Sequence, residues 1–331
     1  MKRKLLRVLL ILVCAALVLT GAAAGLSRAV WGRSLLASVY ERILFRRFAN
    51  DRTAEEEVAR LEALRKDGER TYVLPQKTPF DVAIGQQQIG GTDCFVMNSR
   101  PDAALTVFYL HGGAFINNFN AYHWRLLNRL ARDADCEIIA PVYHVSPFGN
   151  CERAYPEMTA VYEACVSARP GRPFALMGDS AGGGLALGLA QHFVSSGVPL
   201  PARLILFSPW VDLSMDNPDI AKYLSVEPVL HFDLVKVHGR YWADGLDLHD
   251  PRVSPLFGEM KGLPPVTLYT GTRELLYPDL LLLNDALTTA GVPVDLHVGK
   301  GLNHEYPLMP IPEGRRAVRD TAALLRALKK A

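Results

Sequence analysis

The feature that most constrains the fold of this chain is the regular alternation, after Pro75, of short β-rich runs with longer helical segments. The β-rich runs are compact and bounded by turn residues, and they comprise Cys94–Met97, Thr106–Leu110, Ile138–Tyr143, Phe174–Met177, Leu204–Phe207, Val266–Tyr269 and Val294–Val298. The segments suited to helices are Tyr122–Arg132, Tyr155–Ala168, Ala181–Ser196, Pro278–Ala290 and the amphipathic stretch from Arg315 to Leu328. Strands and helices that alternate in this way predict the α/β class, with a mostly parallel sheet covered by helices on both faces.

Two parts of the chain do not follow this alternation. Residues 30–70 are predicted to be helical, because Thr53 can cap a helix whose first turn is acidic. Val58, Leu61 and Leu64 would then share one face of that helix. Residues 214–260 contain helical material but no obvious strand. We expect one domain over residues 28–331, with a helical cap from about 30–70 and 214–247 above the C-terminal edge of the sheet.

The first 27 residues differ from the rest of the chain. The basic start MKRKLLR precedes a run without charge over residues 8–26. This run approaches the length of a bilayer span, yet it ends in small residues in which Ala22 and Ala24 satisfy the rule for signal cleavage. Residues 1–27 are therefore predicted to be a signal peptide or a membrane anchor. Because the positive charge precedes the run, we expect an extracytoplasmic protein that is either held at the membrane or secreted.

Composition excludes several classes of function. The formal net charge of +2 depends on the basic start, and without residues 1–27 there are 32 Lys and Arg against 34 Asp and Glu. No basic stripe remains, so we expect no nucleic-acid partner.

The cysteines after the leader show neither a CxxC pair nor a metal-binding spacing. They are predicted to be isolated buried thiols: Cys94, Cys136, Cys151 and Cys165.

The sharpest local signal is the sequence GDSAGGG at residues 178–184. It follows the strand-like run Phe174–Met177 directly and opens a helix rich in Leu and Ala. A G-x-S-x-G turn between a strand and a helix holds the serine in a strained conformation and lifts its hydroxyl off the sheet edge. A structural glycine turn is the alternative for the bare pentapeptide, but this setting predicts that Ser180 is a nucleophile.

A second signal is the sequence HGGAF at residues 111–115, at the end of the run Thr106–Leu110. Two consecutive glycines let backbone N–H groups approach a substrate oxygen without obstruction. Acyl transfer requires such donors aimed at the oxyanion that develops in the transition state. Gly112 and Gly113, with the amide of Ala181 after the serine, are the candidate oxyanion hole.

A serine nucleophile needs a base, and the base needs an acid to orient it. Of nine histidines, His304 follows the last predicted strand and fits the order serine, acid, histidine, whereas His297 lies inside that strand and is expected to be structural. The acid should follow the strand Val266–Tyr269. Glu274 comes first in that loop, and we prefer it to Asp279, which is expected in the first turn of the next helix.

These motifs resemble the hormone-sensitive-lipase-like group of α/β-hydrolases, which includes bacterial acyl esterases and arylacetamide deacetylases. The resemblance runs from about residue 104 to 310 and includes SPWVDLS at 208–214 and DPRVSPL at 250–256. It implies the α/β-hydrolase fold with a helical cap, Ser180 as nucleophile, His304 as base, and the oxyanion donors named above. The chain has Glu-Leu-Leu at 274–276 where the family usually has Asp-Pro-Leu, and YHVSP at 143–147 where it has Tyr-Arg-Leu-Ala-Pro.

The leading hypothesis is a serine carboxylesterase, or acetyl esterase, for small apolar short-acyl esters. It would use the triad Ser180, Glu274 and His304 and require no metal or organic cofactor. One alternative is an amide or N-acetyl hydrolase with the same triad. Another is a non-catalytic ligand receptor on the same fold, against which the presence of a serine, a histidine and an acid argues. The expected partner is a small-molecule ester, with the membrane as a second partner if the N-terminal segment is not cleaved.

Overall fold

The computed structural model describes residues 19–75 and 79–329. Within these residues eight strands form one sheet, in the order β1-β2-β4-β3-β5-β6-β7-β8. The strands are β1 (Ile84–Ile89), β2 (Thr92–Met97), β3 (Thr106–Leu110), β4 (Glu137–Pro141), β5 (Phe174–Asp179), β6 (Arg203–Phe207), β7 (Val266–Gly271) and β8 (Val294–Gly299). The pairs β1–β2 and β2–β4 are antiparallel and the other five pairs are parallel. The predicted α/β architecture is confirmed.

Helices cover the sheet and extend beyond its C-terminal edge. In chain order they are α1 (helical residues 19–31), α2 (Leu35–Arg47), α3 (Ala54–Asp67), α4 (Ala121–Asp133), α5 (Cys151–Ser167), α6 (Ser180–Ser196), α7 (Phe232–Ala243), α8 (Tyr277–Thr289) and α9 (Pro312–Leu328). Short 3-10 turns lie at Pro218–Lys222, Pro255–Phe257 and Tyr306–Leu308.

The central strands are buried on both faces of the sheet. Every residue of β3, β4 and β5 is buried. Neighbouring residues of β3 point into opposite cores, with Phe108 in one hydrophobic cluster and Val107 in the other. This alternation follows from the two-residue period of a strand, and it explains why the strands appear in the sequence as continuous apolar runs.

The structure departs from the sequence predictions most clearly in three places. β1 was missed, because its interior reads Gln-Gln-Gln and faces solvent at the edge of the sheet, so it has no apolar alternation. β4 ends at Pro141 and not at Tyr143. α5 begins at Cys151, four residues earlier than predicted, because the Asn150 side chain caps it by accepting the N–H of Arg153 at 2.9 Å.

The helix α3 begins as predicted, at a Thr53 cap with a reciprocal hydrogen bond to Glu56. The prediction for its buried face was partly wrong, because Val58 is 40% exposed. Glu57 is buried in its place, 1% exposed, against α7. The burial is possible because Arg52, Arg60 and His238 all hold the Glu57 carboxylate.

The N-terminal prediction falls mainly on residues 1–18, which lie outside the described residues. Among the residues that the structure does describe, no helix combines the length and the apolar character that a membrane crossing needs. The four cysteines named above are buried and unpaired, as predicted. Burial raises the pKa of the Cys151 thiol to about 11.

Glu137, at the N-terminal end of β4, forms a buried ion-pair cluster far from the C-terminal edge of the sheet. Its carboxylate accepts hydrogen bonds from Arg169 and Arg172 and is almost fully buried. Burial alone would raise the pKa of Glu137, but hydrogen bonds from Arg169, Ser99 and Thr106 outweigh it and hold the pKa below its usual value.

We therefore expect Glu137→Gln to lower the free energy of unfolding by about 3 kcal/mol at neutral pH, because it leaves two partly buried guanidinium groups without their counter-charge. Since the folded pKa of Glu137 is depressed, the difference from wild type should shrink as acid protonates this carboxyl. Urea unfolding monitored by fluorescence measures the effect. The exposed Glu163→Gln on α5 is the matched control and should change stability by less than about 0.5 kcal/mol. Equal stability of the two variants would contradict the prediction.

Candidate active site

Ser180 lies at the sharp junction between β5 and α6. Its backbone φ is 47°, in the left-handed region that residues other than glycine seldom adopt. A side chain at Gly182 would overlap the carbonyl oxygens of Leu110 and His111 at the end of β3. The strained strand–turn–helix setting expected for the GDSAGGG sequence is thus present, and it places the Ser180 hydroxyl at the carboxyl edge of the sheet.

His304 reaches Ser180 from the loop that follows β8. Its Nε2 atom lies 3.0 Å from Ser180 Oγ, and its Nδ1 atom lies 2.6 Å from Glu274 Oε2 in the loop after β7. Because a carboxylate accepts hydrogen bonds, Nδ1 carries the proton and Nε2 turns its lone pair toward the serine hydroxyl. The structure therefore brings Ser180, His304 and Glu274 into one hydrogen-bonded chain.

The Glu274 carboxylate is fully buried and has donors on both oxygens. While Oε2 binds His304, Oε1 accepts hydrogen bonds from Ser208 Oγ at 3.0 Å, Thr270 Oγ1 at 2.6 Å and the Gly271 N–H at 2.7 Å. Burying a carboxylate is costly unless such donors compensate it. These contacts fix the orientation of Glu274 and, through it, the orientation of the His304 ring.

Asp279, the alternative acid, lies elsewhere. It is the third residue of α8 and is hydrogen-bonded to Asn217 Nδ2 at 2.6 Å. Burial raises the pKa of Asp279 to about 7. Within the described residues no histidine contacts its carboxyl group. The loop position that favoured Glu274 over Asp279 thus agrees with the contacts that His304 makes.

Several charges act on the His304 ring. Burial alone would lower the pKa of His304, but the hydrogen bond and the charge of Glu274 outweigh it, and the charges of Glu227 and Asp179 act in the same direction. The pKa of His304 is therefore raised above its ordinary value. An imidazolium that forms when His304 accepts a proton is stabilised by these carboxylates.

The candidate oxyanion donors are backbone amides of the loop after β3 and of the first turn of α6. Gly113 borders one cavity with Ser180, and the Gly112 and Gly113 amides donate to no acceptor in the part of the chain that the structure describes. The Ala181 amide is in the first turn of α6, where N–H groups have no acceptor within the helix. His111, in which burial lowers the pKa to about 3, donates from Nδ1 to the Gly112 carbonyl at 2.7 Å. This bond fixes one peptide plane of the glycine loop.

Asp179, which precedes the serine, lies against the glycine loop at Gly112. It is fully buried and accepts hydrogen bonds from Tyr109 and from His123 Nε2, the latter at 3.1 Å. It also shares a hydrogen bond with Glu305, and a side chain at Gly112 would collide with both carboxyl groups. Burial and the charge of Asp179 raise the pKa of Glu305 well above its ordinary value.

A cavity of about 710 Å³ opens at Ser180 and His304. Its lining includes the apolar residues Phe119, Leu230 and Leu234, which come from the segment just before α4 and from the segment before and within α7. The polar part of the lining comes largely from residues 47–60 and 117–122. Both stretches expected to form the cap therefore border the cavity.

The sequence did not reveal how the predicted cap is joined to the loops that carry Glu274 and His304. Glu41 on α2 accepts hydrogen bonds from Arg273 Nε at 2.7 Å and from Asn303 Nδ2 at 2.9 Å. These two residues immediately precede Glu274 and His304 in the chain. The partners are more than two hundred positions from Glu41, so no local pattern could have indicated the contact.

The chain matches the family described as the alpha/beta hydrolase fold over residues 107–308. It is 34% identical to an acetyl-hydrolase of Streptomyces hygroscopicus over 239 residues, which cover 70% of this chain and 78% of that protein. It is 28% identical to an esterase of Acinetobacter venetianus, and this alignment covers 75% of the chain and 83% of the relative.

A solved hormone-sensitive lipase from a metagenome library shares the fold, with a TM-score of 0.76 over 88% of this chain and 98% of that chain. Its sequence identity is 22%, so the likeness concerns the fold alone. The family match and the acetyl-hydrolase relative carry the assignment further. The chain belongs to the α/β-hydrolase fold family, on the branch of hormone-sensitive-lipase-like esterases that its two glycine motifs resemble.

Proposed function

We propose that this α/β-hydrolase is a serine carboxylesterase that cleaves small, apolar, short-acyl esters with Ser180, His304 and Glu274. The observation that carries the proposal is the position of the His304 ring, whose two nitrogens lie 3.0 Å from a serine hydroxyl and 2.6 Å from a buried carboxylate. Its relatives named acetyl-hydrolase and esterase support carboxylic ester hydrolysis as the reaction class.

In the first half-reaction His304 Nε2 accepts the Ser180 proton while Oγ bonds to the ester carbonyl carbon. The carbonyl oxygen becomes an oxyanion that the amides of Gly112, Gly113 and Ala181 can bind. The intermediate then collapses, the alcohol oxygen leaves with the proton held by His304, and an acyl-serine remains. Water, deprotonated by His304, attacks the acyl carbon, and the proton returns to Ser180 as the carboxylic acid departs.

The buried carboxylates around His304 stabilise the positive charge that this cycle places on its ring. Each half-reaction passes through an imidazolium at His304, and the raised pKa of His304 reflects the stabilisation of that cation by the charges around it. The apolar lining at Phe119 and Leu230 suits a small hydrocarbon group.

We also propose an extracytoplasmic location, on the basis of the basic start and the uncharged run of residues 8–26. Activity assays of separated cell fractions test this location.

Ser180→Ala should abolish turnover of p-nitrophenyl acetate and butyrate, with a loss in kcat of at least about 10⁵-fold, because the attacking oxygen is missing. The assay uses the purified protein, and circular dichroism confirms that the variant is folded. A fluorophosphonate probe should label the wild type and not the variant. Full activity of Ser180→Ala would overturn the mechanism, whereas a folded wild type that neither reacts with the probe nor cleaves esters would favour a non-catalytic receptor.

Glu274→Gln should lower kcat about a thousandfold or more, because a neutral amide stabilises the imidazolium poorly and can orient the wrong tautomer of His304. Asp279→Asn is the matched control, since it removes another buried carboxyl that contacts Asn217 and not the histidine. Its kcat should stay close to that of the wild type. If Asp279→Asn lost activity and Glu274→Gln kept it, the acid would be assigned to the wrong residue.

A further inference from the structure

The cavity at Ser180 has an excess of positive charge in its lining. Arg47, Arg52 and Arg60 border it, whereas the carboxyl residues in the described lining are Glu57 and Glu305. Of these two, Glu305 hydrogen-bonds to Asp179, and burial together with the charge of that neighbour raises the pKa of Glu305 well above its ordinary value. Glu57 is therefore the counter-charge available to three guanidinium groups.

Glu57 is shared between two of the arginines. Arg60 binds it through Nε at 2.9 Å and Nη2 at 2.6 Å, and Arg52 binds the same carboxylate. Burial would raise the pKa of Glu57, but the hydrogen bonds from Arg60, His238 and Arg52 lower it to about 2. One carboxylate with two guanidinium partners leaves a net charge of about +1 at this part of the lining.

Arg47 adds a second positive charge. It ends α2, where its guanidinium lies over the rings of Phe48 at 5.9 Å and Tyr122 at 5.6 Å. It forms no ion pair with any carboxylate among the described residues. The same lining also includes the neutral amide side chains of Asn117 and Asn120.

From this charge distribution we infer that the preferred ester carries an anionic group, such as a carboxylate, away from the bond that is cleaved. Guanidinium groups bind carboxylate and phosphate through paired N–H donors, and a cationic cleft raises the local concentration of an anionic substrate. The inference rests on the proposed function, because it concerns the substrate of the same serine esterase. It adds that the apolar part of the cavity and its cationic part bind different parts of one molecule.

The test compares 4-acetoxybenzoate with its methyl ester, two acetates of similar shape of which only the first is charged. The measured quantity is the ratio of their kcat/KM values, charged over neutral. We expect Arg47→Gln to lower this ratio about three- to fivefold, and added salt to lower the ratio in the wild type. Arg125→Gln is the matched control, since Arg125 lies over the same Tyr122 ring at 4.6 Å but does not border the cavity. It should leave the ratio unchanged.

The outcomes separate this inference from the proposed function. If both acetates are cleaved but the ratio responds neither to salt nor to Arg47→Gln, the inferred preference for anionic esters is wrong. The proposed esterase activity is then still supported. If Arg125→Gln lowers the ratio as much as Arg47→Gln, a general surface field is responsible, and the cavity site is also wrong. If neither acetate is cleaved by a folded protein, the proposed function fails and the inference with it.

A separate observation concerns Glu227, a carboxyl group of the cap that is only 6% exposed. Its Oε1 accepts the N–H groups of Val229 at 2.7 Å and Leu230 at 3.2 Å, and both of these residues border the cavity. Its Oε2 accepts the N–H of Leu275 at 3.1 Å. Leu275 follows Glu274 in the chain, so one buried carboxylate joins the cavity wall to the loop of the proposed acid.

We propose that Glu227 is a positioning residue for the triad. It holds the loop of Glu274 against the cap, and it adds a further negative charge to the surroundings of His304. The other carboxyl groups that face this histidine are Glu274, Asp179 and Glu305, whose Oε1 lies 3.8 Å from His304 Nε2. Burial raises the pKa of Glu227 to about 7, so its charge develops in the pH range in which a histidine titrates.

Glu227→Gln tests this role, because the amide can still accept the Val229 and Leu230 N–H groups but carries no charge. Without that charge the imidazolium is less stable, so the acid limb of kcat/KM should move to lower pH by about half a unit, together with a loss in kcat. Asp279→Asn, a buried carboxyl without contact to the triad, should leave the limb in place. A lower kcat or a lower melting temperature with an unmoved acid limb would reduce Glu227 to a structural role and overturn the proposal.

Discussion

The buried carboxylate of Glu274 is the interaction on which the arrangement around Ser180 depends. An anion away from water costs several kcal/mol unless hydrogen bonds and a neighbouring positive charge compensate it. Donors at the ends of β6 and β7 occupy one of its oxygens, and His304 after β8 occupies the other. The desolvation of one side chain is therefore offset only when three strand ends are correctly aligned. The geometry of the sheet edge and the orientation of the histidine thus follow from the same constraint.

Most of the sheet could be predicted from the sequence because its strands are short apolar runs between turn residues. The elbow at Ser180 and the glycine loop at 111–115 could be located for a similar reason, since each signal is local and continuous in the chain. β1 could not be found, because an exposed edge strand with three glutamines has no apolar period. On α3 the helical period indicated the wrong buried residue, because ion pairs formed in three dimensions bury Glu57 in place of Val58.

The parts of the site that escaped prediction depend on contacts between distant residues. Chain order alone admits both Glu274 and Asp279 after β7; loop position favoured Glu274, and the contacts of His304 and Asn217 agree with that preference. The pairing of Asp179 with Glu305 joins the residue before the serine to the residue after the histidine. Neither carboxyl has a pattern of its own in the sequence. Their roles become visible only when the loops after β5 and β8 meet at the sheet edge.

The hydrogen bonds of Glu41 have a consequence for how such hydrolases can diversify. A cap that rested on the sheet as an independent lid could be exchanged between relatives to change selectivity while the rate of the chemical step stayed the same. Here the first cap helix binds Arg273 and Asn303, the neighbours of the proposed acid and base. Exchange of this helix would therefore alter the alignment of the catalytic loops as well as the shape of the cavity. If the triad is as proposed, we expect selectivity and turnover to be linked in this chain, so that new substrates are more readily reached through changes at the rim of the cavity than through a new N-terminal helix.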